Sequence, residues 1–314
     1  MSVPLAHVIR SGFVEGVHYG SAVVTDVNGD VLWSVGDVAS PMFPRSANKF
    51  MQALAMVQAG LPLRDELLAI SCASHSGEPF HIEAVRQILD LAQLSPDALR
   101  CPADYPLDQT SHNEFIHDDV AKQPIYMNCS GKHAAMLYTC VVNGWDVETY
   151  KSPSHPLQLV CKNTIEEVAG EPVTATGVDG CGTPVMSLTL TGLARSFGKF
   201  TNPSATDNQK LVTTAVKNFP QYVGGTYRDV TKLMQGVPDL ICKDGAEGVY
   251  GIALGDGRAL ALKIDDGADR ARIAVAMSIL RNVLGVVAQE IDRQLERRLV
   301  YGDGEPVGKI QPLV

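Results

Sequence analysis

The sequence predicts an α/β fold of the α+β kind, with one antiparallel sheet built from both chain ends and a helical lobe beside it. Three observations predict it: β-branched segments near the N-terminus, helical periodicity through the middle, and strand-like segments returning near the C-terminus. We expect one domain of two lobes, a sheet lobe of roughly 1–45 and 237–314 and a helical lobe of roughly 46–236. No Pro- or Ser-rich linker divides the chain, which fits two lobes with a cleft better than two tethered domains.

The N-terminal elements are predicted to be strands. Residues 20–27 and 30–36 are rich in β-branched side chains, and Asn28-Gly29 between them is a strong signal for a two-residue hairpin turn. Together with residues 5–11, they predict an antiparallel N-terminal unit.

The middle of the chain is predicted to be helical. The helical patterns cover 47–60, 79–93, 131–143, 155–169, 184–197 and 206–218. The segments between them, especially 71–79, 101–130 and 176–183, are rich in Gly, Pro, Ser, Asn and His. Functional residues concentrate in such loops, so we expect the catalytic and binding residues there.

Strand patterns return in the C-terminal part of the chain. They cover 237–242, 248–254 and 258–264, and Gly255-Asp256-Gly257 forms the turn between the last two. One long final helix is expected at roughly 268–297, because its apolar first part gives way to a charged second part.

Composition limits the class of protein. Of the 314 residues, 45% are hydrophobic and 19% are charged, as in an ordinary globular protein. The net charge of −9 argues against a nucleic-acid or anionic-membrane partner, and no apolar stretch reaches the ~18 residues of a membrane span. The N-terminus lacks the blocks of a signal peptide, and the seven cysteines have no framework spacing. We therefore expect a cytoplasmic protein.

A serine followed three residues later by a lysine occurs twice, at Ser46–Lys49 and at Ser196–Lys199. A neutral lysine one helical turn away can take the serine proton, which is the acylating arrangement of serine amidohydrolases. Ser46 opens onto an apolar run typical of a buried helix, whereas Ser196 meets Gly198, which we interpret as a helix end. Ser46 is therefore the candidate nucleophile and Ser196 the comparison.

Polar clusters occur at four further places, namely Ser71–Pro79, Asn128–His133, Gly177–Pro184 and Cys242–Gly248. Each also has a purely structural explanation: a capping loop, a small core cysteine, a tight turn before a helix that starts with proline, and a solvated surface lysine. Judged singly, each cluster fits that structural explanation better.

A metal site is a separate question. Cys129, Lys132 and Cys181, with Asp179, offer sulfur, nitrogen and oxygen donors suited to zinc. No Cys-x-x-Cys pair or His-Glu-x-x-His motif accompanies them, and a lysine must lose its proton to bind metal. Spacing alone therefore leaves zinc a minority hypothesis.

Taken together, the clusters resemble motifs of the rhizobial-type (class 3) L-asparaginases, both in their amino-acid sequences and in their order along the chain. The matching segments are Pro44–Phe50, Ser74–Pro79, Asn128–Ala134, Gly177–Gly182 and Lys243–Gly248. The hexapeptide Asn128–His133 and the turn Asp179-Gly180-Cys181-Gly182 are the specific parts of the resemblance, whereas a Ser-x-x-Lys motif alone is not.

The resemblance implies a serine β-lactamase-like fold and the hydrolysis of L-asparagine to L-aspartate and ammonia. It makes Ser46 the nucleophile and Lys49 its base, and it makes Ser74 and Lys243 a second Ser–Lys pair in the same site. A homodimer is expected. The resemblance also implies a zinc site with water as the fourth ligand, formed by Cys129, Lys132 and Cys181.

Amide hydrolysis needs a deprotonated serine, a stabilised oxyanion and a protonated leaving group. Two lysines in one pocket depress each other's pKa, so that one can serve as a neutral base. Asp244 departs from the hydroxyl residue of a Lys-Thr-Gly element, which leaves open whether position 244 binds substrate. The candidates for substrate contacts are Arg45, His75, Glu78, Asn128, His133, Asp179 and Gly245.

Two alternatives belong to other classes. A serine amidase or peptidase of the penicillin-recognising type would act on a larger substrate, but the Ser-Asp-Asn element is missing. A zinc-binding relative without catalysis would need neither Ser–Lys pair. The preference for asparagine over glutamine stays open.

Overall fold

The computed structural model describes residues 1–314. The strands are β1 (Val3–Arg10), β2 (Phe13–Thr25), β3 (Val31–Val35), β4 (Thr176–Val178), β5 (Pro184–Met186), β6 (Ile241–Gly245), β7 (Val249–Ala253), β8 (Ala259–Ile264), β9 (Leu299–Gly302) and β10 (Glu305–Pro312). The helices are α1 (Lys49–Gln58), α2 (Asp65–Ser71), α3 (Pro79–Leu91), α4 (Gln109–His117), α5 (Ser130–Asn143), α6 (Pro156–Ala169), α7 (Leu190–Thr201), α8 (Asp207–Asn218), α9 (Pro220–Val223), α10 (Asp229–Gly236), α11 (Asp269–Asn282) and α12 (Gln289–Glu296).

The chain divides into two compact units. The sheet unit comprises Met1–Ala47, Leu188–Ser204 and Lys232–Val314, and the helical unit comprises Asn48–Ser187 and Ala205–Thr231. Helix α7 thus belongs to the sheet unit, although its residues fall in the range that the sequence analysis assigned to the helical lobe.

An eight-stranded sheet forms the frame of the sheet unit. Its order is β6-β7-β8-β2-β1-β10-β9, and β3 also pairs with β2. Strands β1 and β10 run antiparallel, with Ala6 opposite Pro312 and Arg10 opposite Gly308. The predicted antiparallel sheet built from both chain ends is therefore confirmed.

The N-terminal hairpin has a longer turn than the sequence predicts. Strand β2 ends at Thr25 and β3 begins at Val31, so residues 26–30 form the loop. The carboxylate of Asp26 accepts hydrogen bonds from the backbone N–H groups of Asn28 and Asp30, both at 2.8 Å, and so closes the loop.

The expected helix 184–197 is wrong in its first part. Pro184–Met186 is strand β5, which pairs with β4, and helix α7 begins only at Leu190. The hydroxyl of Thr189 caps this helix by accepting a hydrogen bond from the N–H of Gly192 at 2.8 Å. The threonine cap therefore decides where α7 starts.

The expected final helix 268–297 is also wrong, because it is two helices. Helix α11 ends at Asn282 and α12 starts at Gln289, and Gly285 between them has a φ of 71°. A residue in the left-handed region cannot continue a right-handed helix. Strands β9 and β10, which follow, carry no pattern that the sequence analysis recognised.

Helix α1 runs through the interior of the helical unit. All its residues from Lys49 to Val57 are buried, and it packs against α5, α6 and α8. This agrees with the apolar run after Ser46. None of the helices combines the length and the apolar character that crossing a membrane requires.

Candidate active site

Ser46 lies in a 3₁₀ turn, Arg45–Asn48, that leads directly into helix α1. The N–H of Ala47 donates to the carbonyl of Pro44 at 3.1 Å, which closes this turn. Arg45 adopts a φ of 50°, a left-handed conformation that is strained for a residue with a side chain. The half-buried serine is thus presented by a tight, strained turn.

Within the sheet unit, the end of strand β6 lies against this turn. A Cβ atom at Gly245 would lie 2.5 Å from the carbonyl oxygen of Pro44 and 3.3 Å from the nitrogen of Ala47. Only glycine allows this approach, so Gly245 has a packing role at the base of the serine turn. Its predicted contact with substrate stays a prediction.

Lys243 lies inside strand β6, which begins at Ile241 rather than near residue 237 as expected. Its ammonium group is fully buried and hydrogen-bonds to Oδ1 of Asp244 and, at 2.8 Å, to the carbonyl of the same residue. Arg272 of helix α11 approaches the other carboxylate oxygen, with 3.7 Å between Nη1 and Oδ2. Asp244 therefore links two buried cations.

Sequence reasoning missed Arg272. It belongs to no motif and lies in a helix that begins with charged residues, yet it is only 2% exposed. Its guanidinium also lies 5.0 Å from the centre of the Tyr250 ring, a cation–π geometry. Only the packing of α11 brings this arginine to Asp244, so no local pattern could have revealed it.

Lys49 opens helix α1 and is completely buried in the helical unit. Its Nζ atom donates to the hydroxyl of Ser74 at 3.0 Å, to the sulfur of Cys129 at 3.1 Å and to the carbonyl of Ala73. The structure thus brings together the first lysine and the second serine of the two predicted Ser–Lys pairs.

The predicted zinc ligands converge in the helical unit. The side chains of Cys129 and Cys181 hydrogen-bond to each other, and Nζ of Lys132 lies 3.2 Å from Sγ of Cys181 and 2.8 Å from Oγ1 of Thr183. The hydrogen bond from Cys129 and the charge of Lys132 hold the pKa of Cys181 far below that of an ordinary thiol.

This donor set fits a zinc ion. Cys129 and Lys132 both interact with Cys181, and Cys181 already favours the thiolate form that metals bind. No group of three or more His, Cys, Asp or Glu side chains could hold a metal, so a zinc site here would need Lys132 as its third ligand. Burial opposes its charge, but Cys181, Cys129 and Asp179 together raise the pKa of Lys132. Metal binding must therefore displace its proton.

The two histidines expected to contact substrate are electrically neutral. Burial, helped by His81 and Lys49, lowers the pKa of His75 well below its ordinary value, and burial lowers that of His133 to about 4. Nε2 of His75 lies 2.9 Å from the hydroxyl of Ser130, and Nδ1 of His133 lies 2.6 Å from that of Tyr150. Neither ring offers a positive charge to a carboxylate at neutral pH.

Glu78 is occupied by protein groups. Its Oε1 accepts from the N–H of Thr226 at 2.7 Å, and its Oε2 accepts from the hydroxyl of the same residue at 2.5 Å. The carboxylate thus ties the loop before helix α3 to residues 223–228. The predicted contact of Glu78 with substrate stays a prediction.

Asn128 and Asp179 support the loops that carry the two cysteines. Oδ1 of Asn128 lies 2.9 Å from the sulfur of Cys129. The turn after Asp179 is closed by a hydrogen bond from the N–H of Gly182 to the carbonyl of Asp179 at 2.8 Å, and Gly182 takes a φ of 85°. Only glycine adopts that conformation easily, which explains the glycine at position 182.

Ser196, the second serine of the repeated motif, is inside helix α7 rather than near its end. Its hydroxyl donates to the carbonyl of Gly192, one turn earlier, at 2.8 Å. The interpretation of Gly198 as a helix end is wrong: the helix continues to Thr201, and a Cβ at position 198 would lie 2.7 Å from the carbonyl of Gly257. Glycine is there for close packing.

The predicted site residues fall into two sets, each within one unit. The sheet unit holds Arg45, Ser46, Lys243 and Gly245. The helical unit holds Lys49, Ser74, His75, Glu78, Asn128, Cys129, Lys132, His133, Asp179 and Cys181. Arg45 forms an ion pair with Glu247 of the sheet unit, with 3.8 Å between Nη1 and Oε1.

Solved structures with some likeness to the chain share little sequence with it. A β-lactamase (Mb2281c) from Mycobacterium bovis is 16% identical, with 83% of this chain and 93% of that chain covered and a TM-score of 0.47. A putative β-lactamase from Bacteroides dorei DSM 17855 is 15% identical, with 78% and 85% covered and a TM-score of 0.43. Mglu in its native form is 13% identical, with 85% and 65% covered and a TM-score of 0.40.

The family comparison covers almost the whole chain. No curated protein matches the sequence. The family described as L-asparaginase II matches residues 6–312, a range that includes every candidate site residue. The chain therefore belongs to the L-asparaginase II family and is an amidohydrolase of the L-asparaginase type.

Proposed function

We propose that this L-asparaginase works through an acyl-enzyme on Ser46, with Lys49 as the base. The observation that carries the proposal is the buried Lys49, which begins helix α1 three residues after Ser46 and hydrogen-bonds to Ser74 at 3.0 Å. Ser46 Oγ attacks the side-chain amide carbon of L-asparagine, and Lys49 takes the serine proton. The tetrahedral intermediate then expels ammonia, and water hydrolyses the aspartyl ester to free L-aspartate.

The leaving nitrogen needs a proton before it departs. The Ser74 hydroxyl accepts a hydrogen bond from Lys49, so it can pass a proton onward and be recharged by the lysine. Lys243 supplies a second cation, and its contact with Asp244 keeps the ammonium group in one orientation. We propose that Ser74 and Lys243 form the second Ser–Lys pair, as the resemblance implies.

We propose that Cys129, Lys132 and Cys181 hold a zinc ion, with water as the fourth ligand. A bound zinc ion would supply positive charge and Lewis acidity near the substrate. Because Ser46 supplies the nucleophile, the proposed reaction needs no metal-activated water. The nearby Asp179 and His133 would help to order the ligands, since both interact with the cysteine–lysine group.

We also propose a cytoplasmic homodimer. All seven cysteines are free thiols, which agrees with a reducing compartment. Large apolar side chains are exposed on the strands of the sheet unit, among them Phe13, Tyr19 and Tyr301, and a second copy would cover them. Analytical ultracentrifugation tests the dimer, and a monomer at micromolar concentration contradicts it.

The two Ser-x-x-Lys copies give a matched test of the nucleophile. Ser46→Ala is expected to remove nearly all ammonia release from L-asparagine, whereas Ser196→Ala leaves it near the wild-type rate. Acid quenching followed by peptide mass spectrometry should find the acyl group on the peptide that contains Ser46. Full activity of Ser46→Ala, or an acyl group on another serine, overturns the assignment. L-glutamine in the same assay measures the preference between the two amides.

A further inference from the structure

Residues 221–228 form a segment that is tied at several points to residues 74–81 within the helical unit. The N–H of Ser74 donates to the carbonyl of Val223 at 3.0 Å, and the hydroxyl of Ser76 donates to the carbonyl of Gly224 at 3.0 Å. Glu78 binds Thr226 through both carboxylate oxygens. These contacts fix the segment against the loop that carries Ser74.

Further contacts make the attachment rigid. The N–H of Glu78 donates to Nδ1 of His81 at 3.1 Å, which leaves Nε2–H of that ring to donate to the carbonyl of Gln221 at 2.9 Å. Gly225 has a φ of +139°, and a Cβ there would lie 2.3 Å from Oγ of Ser76. The 221–228 segment therefore has one backbone path past Ser74, and only glycine at position 225 permits it.

This path brings Arg228 to Ser74. Nη1 of the arginine lies 3.5 Å from the carbonyl oxygen of Ser74, and its backbone N–H donates to the carbonyl of Gly225 at 3.3 Å. The arginine side chain also packs on Gly224, where a Cβ would lie 3.1 Å from Cβ of Arg228. A guanidinium group is thus held beside the serine that Lys49 contacts.

L-Asparagine has an α-carboxylate that a simple amide lacks, and its recognition calls for a permanent positive charge. His75 and His133 are engaged by protein hydroxyl groups: Nε2 of His75 lies 2.9 Å from Oγ of Ser130, and Nδ1 of His133 lies 2.6 Å from the hydroxyl of Tyr150. Lys49 points its ammonium group at Ala73, Ser74 and Cys129. A guanidinium group binds a carboxylate through two parallel hydrogen bonds and is charged at every working pH.

We propose that Arg228 binds the α-carboxylate of the substrate and so makes the enzyme selective for amino-acid amides over simple amides. This inference rests on the proposed function, because it takes Ser74 and Lys49 as part of the active site. The 221–228 segment then has a purpose in the reaction: it fixes the distance between the carboxylate anchor and Ser74. Glu78 holds this segment in place through its two hydrogen bonds from Thr226.

The test compares L-asparagine with β-alaninamide, which is asparagine without its α-carboxylate. For Arg228→Ala we expect kcat/KM on L-asparagine to fall roughly 100-fold, mainly through KM, and kcat/KM on β-alaninamide to change less than about 2-fold. Arg228→Lys keeps the positive charge but cannot form two parallel hydrogen bonds, so its kcat/KM on L-asparagine should lie between those of the wild type and Arg228→Ala. Arg64→Ala is the matched control, since Arg64 also donates to a backbone carbonyl in the helical unit but lies at helix α2.

Equal losses on both substrates in Arg228→Ala, with wild-type unfolding, would overturn the proposal and leave the arginine a structural role. If Arg228→Ala does not fold, Arg228→Lys and Arg228→Gln replace it and face the same comparison. Gly225→Ala should reproduce the selective loss, because the new Cβ displaces the segment that carries Arg228.

Calorimetric binding separates this proposal from the proposed function. L-Aspartate should bind the wild type more tightly than β-alanine does, and Arg228→Ala should abolish that difference. This readout needs no turnover, so it holds even if Ser46 proves not to be the nucleophile. A wild type that releases no ammonia from L-asparagine refutes the proposed function, whereas unchanged aspartate binding in Arg228→Ala refutes the carboxylate anchor.

Discussion

Replacing Asp244 by asparagine removes one negative charge from between two buried cations while keeping the shape of the side chain. Lys243 is fully buried, Arg272 is 2% exposed and Asp244 is 7% exposed, so solvent cannot replace the lost charge. Arg272 keeps a second carboxylate, Asp269, with 3.4 Å between Nη1 and Oδ1. The main loss therefore falls on Lys243.

The structure sets the expected magnitude. Two unit charges ~4 Å apart interact by about 4 kcal/mol at an effective dielectric constant of ~20, and removing one partner of a buried pair costs about 3–5 kcal/mol. Because Asp269 compensates part of the charge on Arg272, we expect Asp244→Asn to lower the free energy of unfolding by about 3 kcal/mol. Lys243→Met should cost less, since Asp244 then still pairs with Arg272.

Urea unfolding of Asp244→Asn, Lys243→Met and the double variant measures the free energies of unfolding in a double-mutant cycle. The double variant should be more stable than Asp244→Asn alone, because the second change removes the buried ammonium group that has lost its ion pair with the carboxylate at position 244. Activity on L-asparagine should also fall in Asp244→Asn, since Lys243 loses its fixed orientation. A loss of stability below about 1 kcal/mol, or strict additivity in the cycle, would refute the reasoning.

Three further predictions concern metal, pH and acid stability. Purified protein should contain about one zinc per chain, and the double variant Cys129→Ala, Cys181→Ala should contain none. Loss of the metal should raise KM more than it lowers kcat, and an unchanged KM after chelation contradicts this. The pH profile of kcat/KM should rise from neutral into the alkaline range, because a lysine base must lose its proton; a profile already flat at about pH 7.5 argues against a lysine base. His133 titrates at about 4 when folded and near 6.5 when unfolded, so its contribution of roughly 3 kcal/mol is present above about pH 6.5 and is lost as the pH falls towards 4. Urea midpoints that stay constant over that interval would count against a neutral buried imidazole.

The sequence was informative where structure is decided locally. The ends of helices α3, α5, α6 and α8 lie within about two residues of the expected ones, because apolar periodicity and caps determine them. Strand β10 was missed because its partner β1 is distant in the chain, and β9 lies at the sheet edge and pairs with β10. The break before helix α12 depends on one glycine, Gly285, inside a run of otherwise helical character.

The candidate site was likewise predictable only where local sequence motifs mark its residues. Sequence motifs identified Ser46, Lys49 and the two cysteines, since each lies in a short segment that resembles a segment of the family. Arg272 and Arg228 were not predictable, because their importance comes from packing against residues far away in sequence. The neutral state of His133 likewise follows from burial, which a hydrophilic loop sequence does not reveal.

The position of β10 between β1 and β9 affects how the protein is made. The residues that pair across β1 and β10 are about 300 positions apart in the sequence. At a translation rate of ~5–20 residues per second, β10 is synthesised roughly 15–60 s after β1. Throughout that interval one edge of β1 offers unpaired backbone groups to other nascent chains. Residues 48–187 of the helical unit, by contrast, are synthesised in one stretch, early in that interval. Ribosome stalling late in the message would therefore produce chains with an open sheet edge, which are candidates for chaperone capture or aggregation.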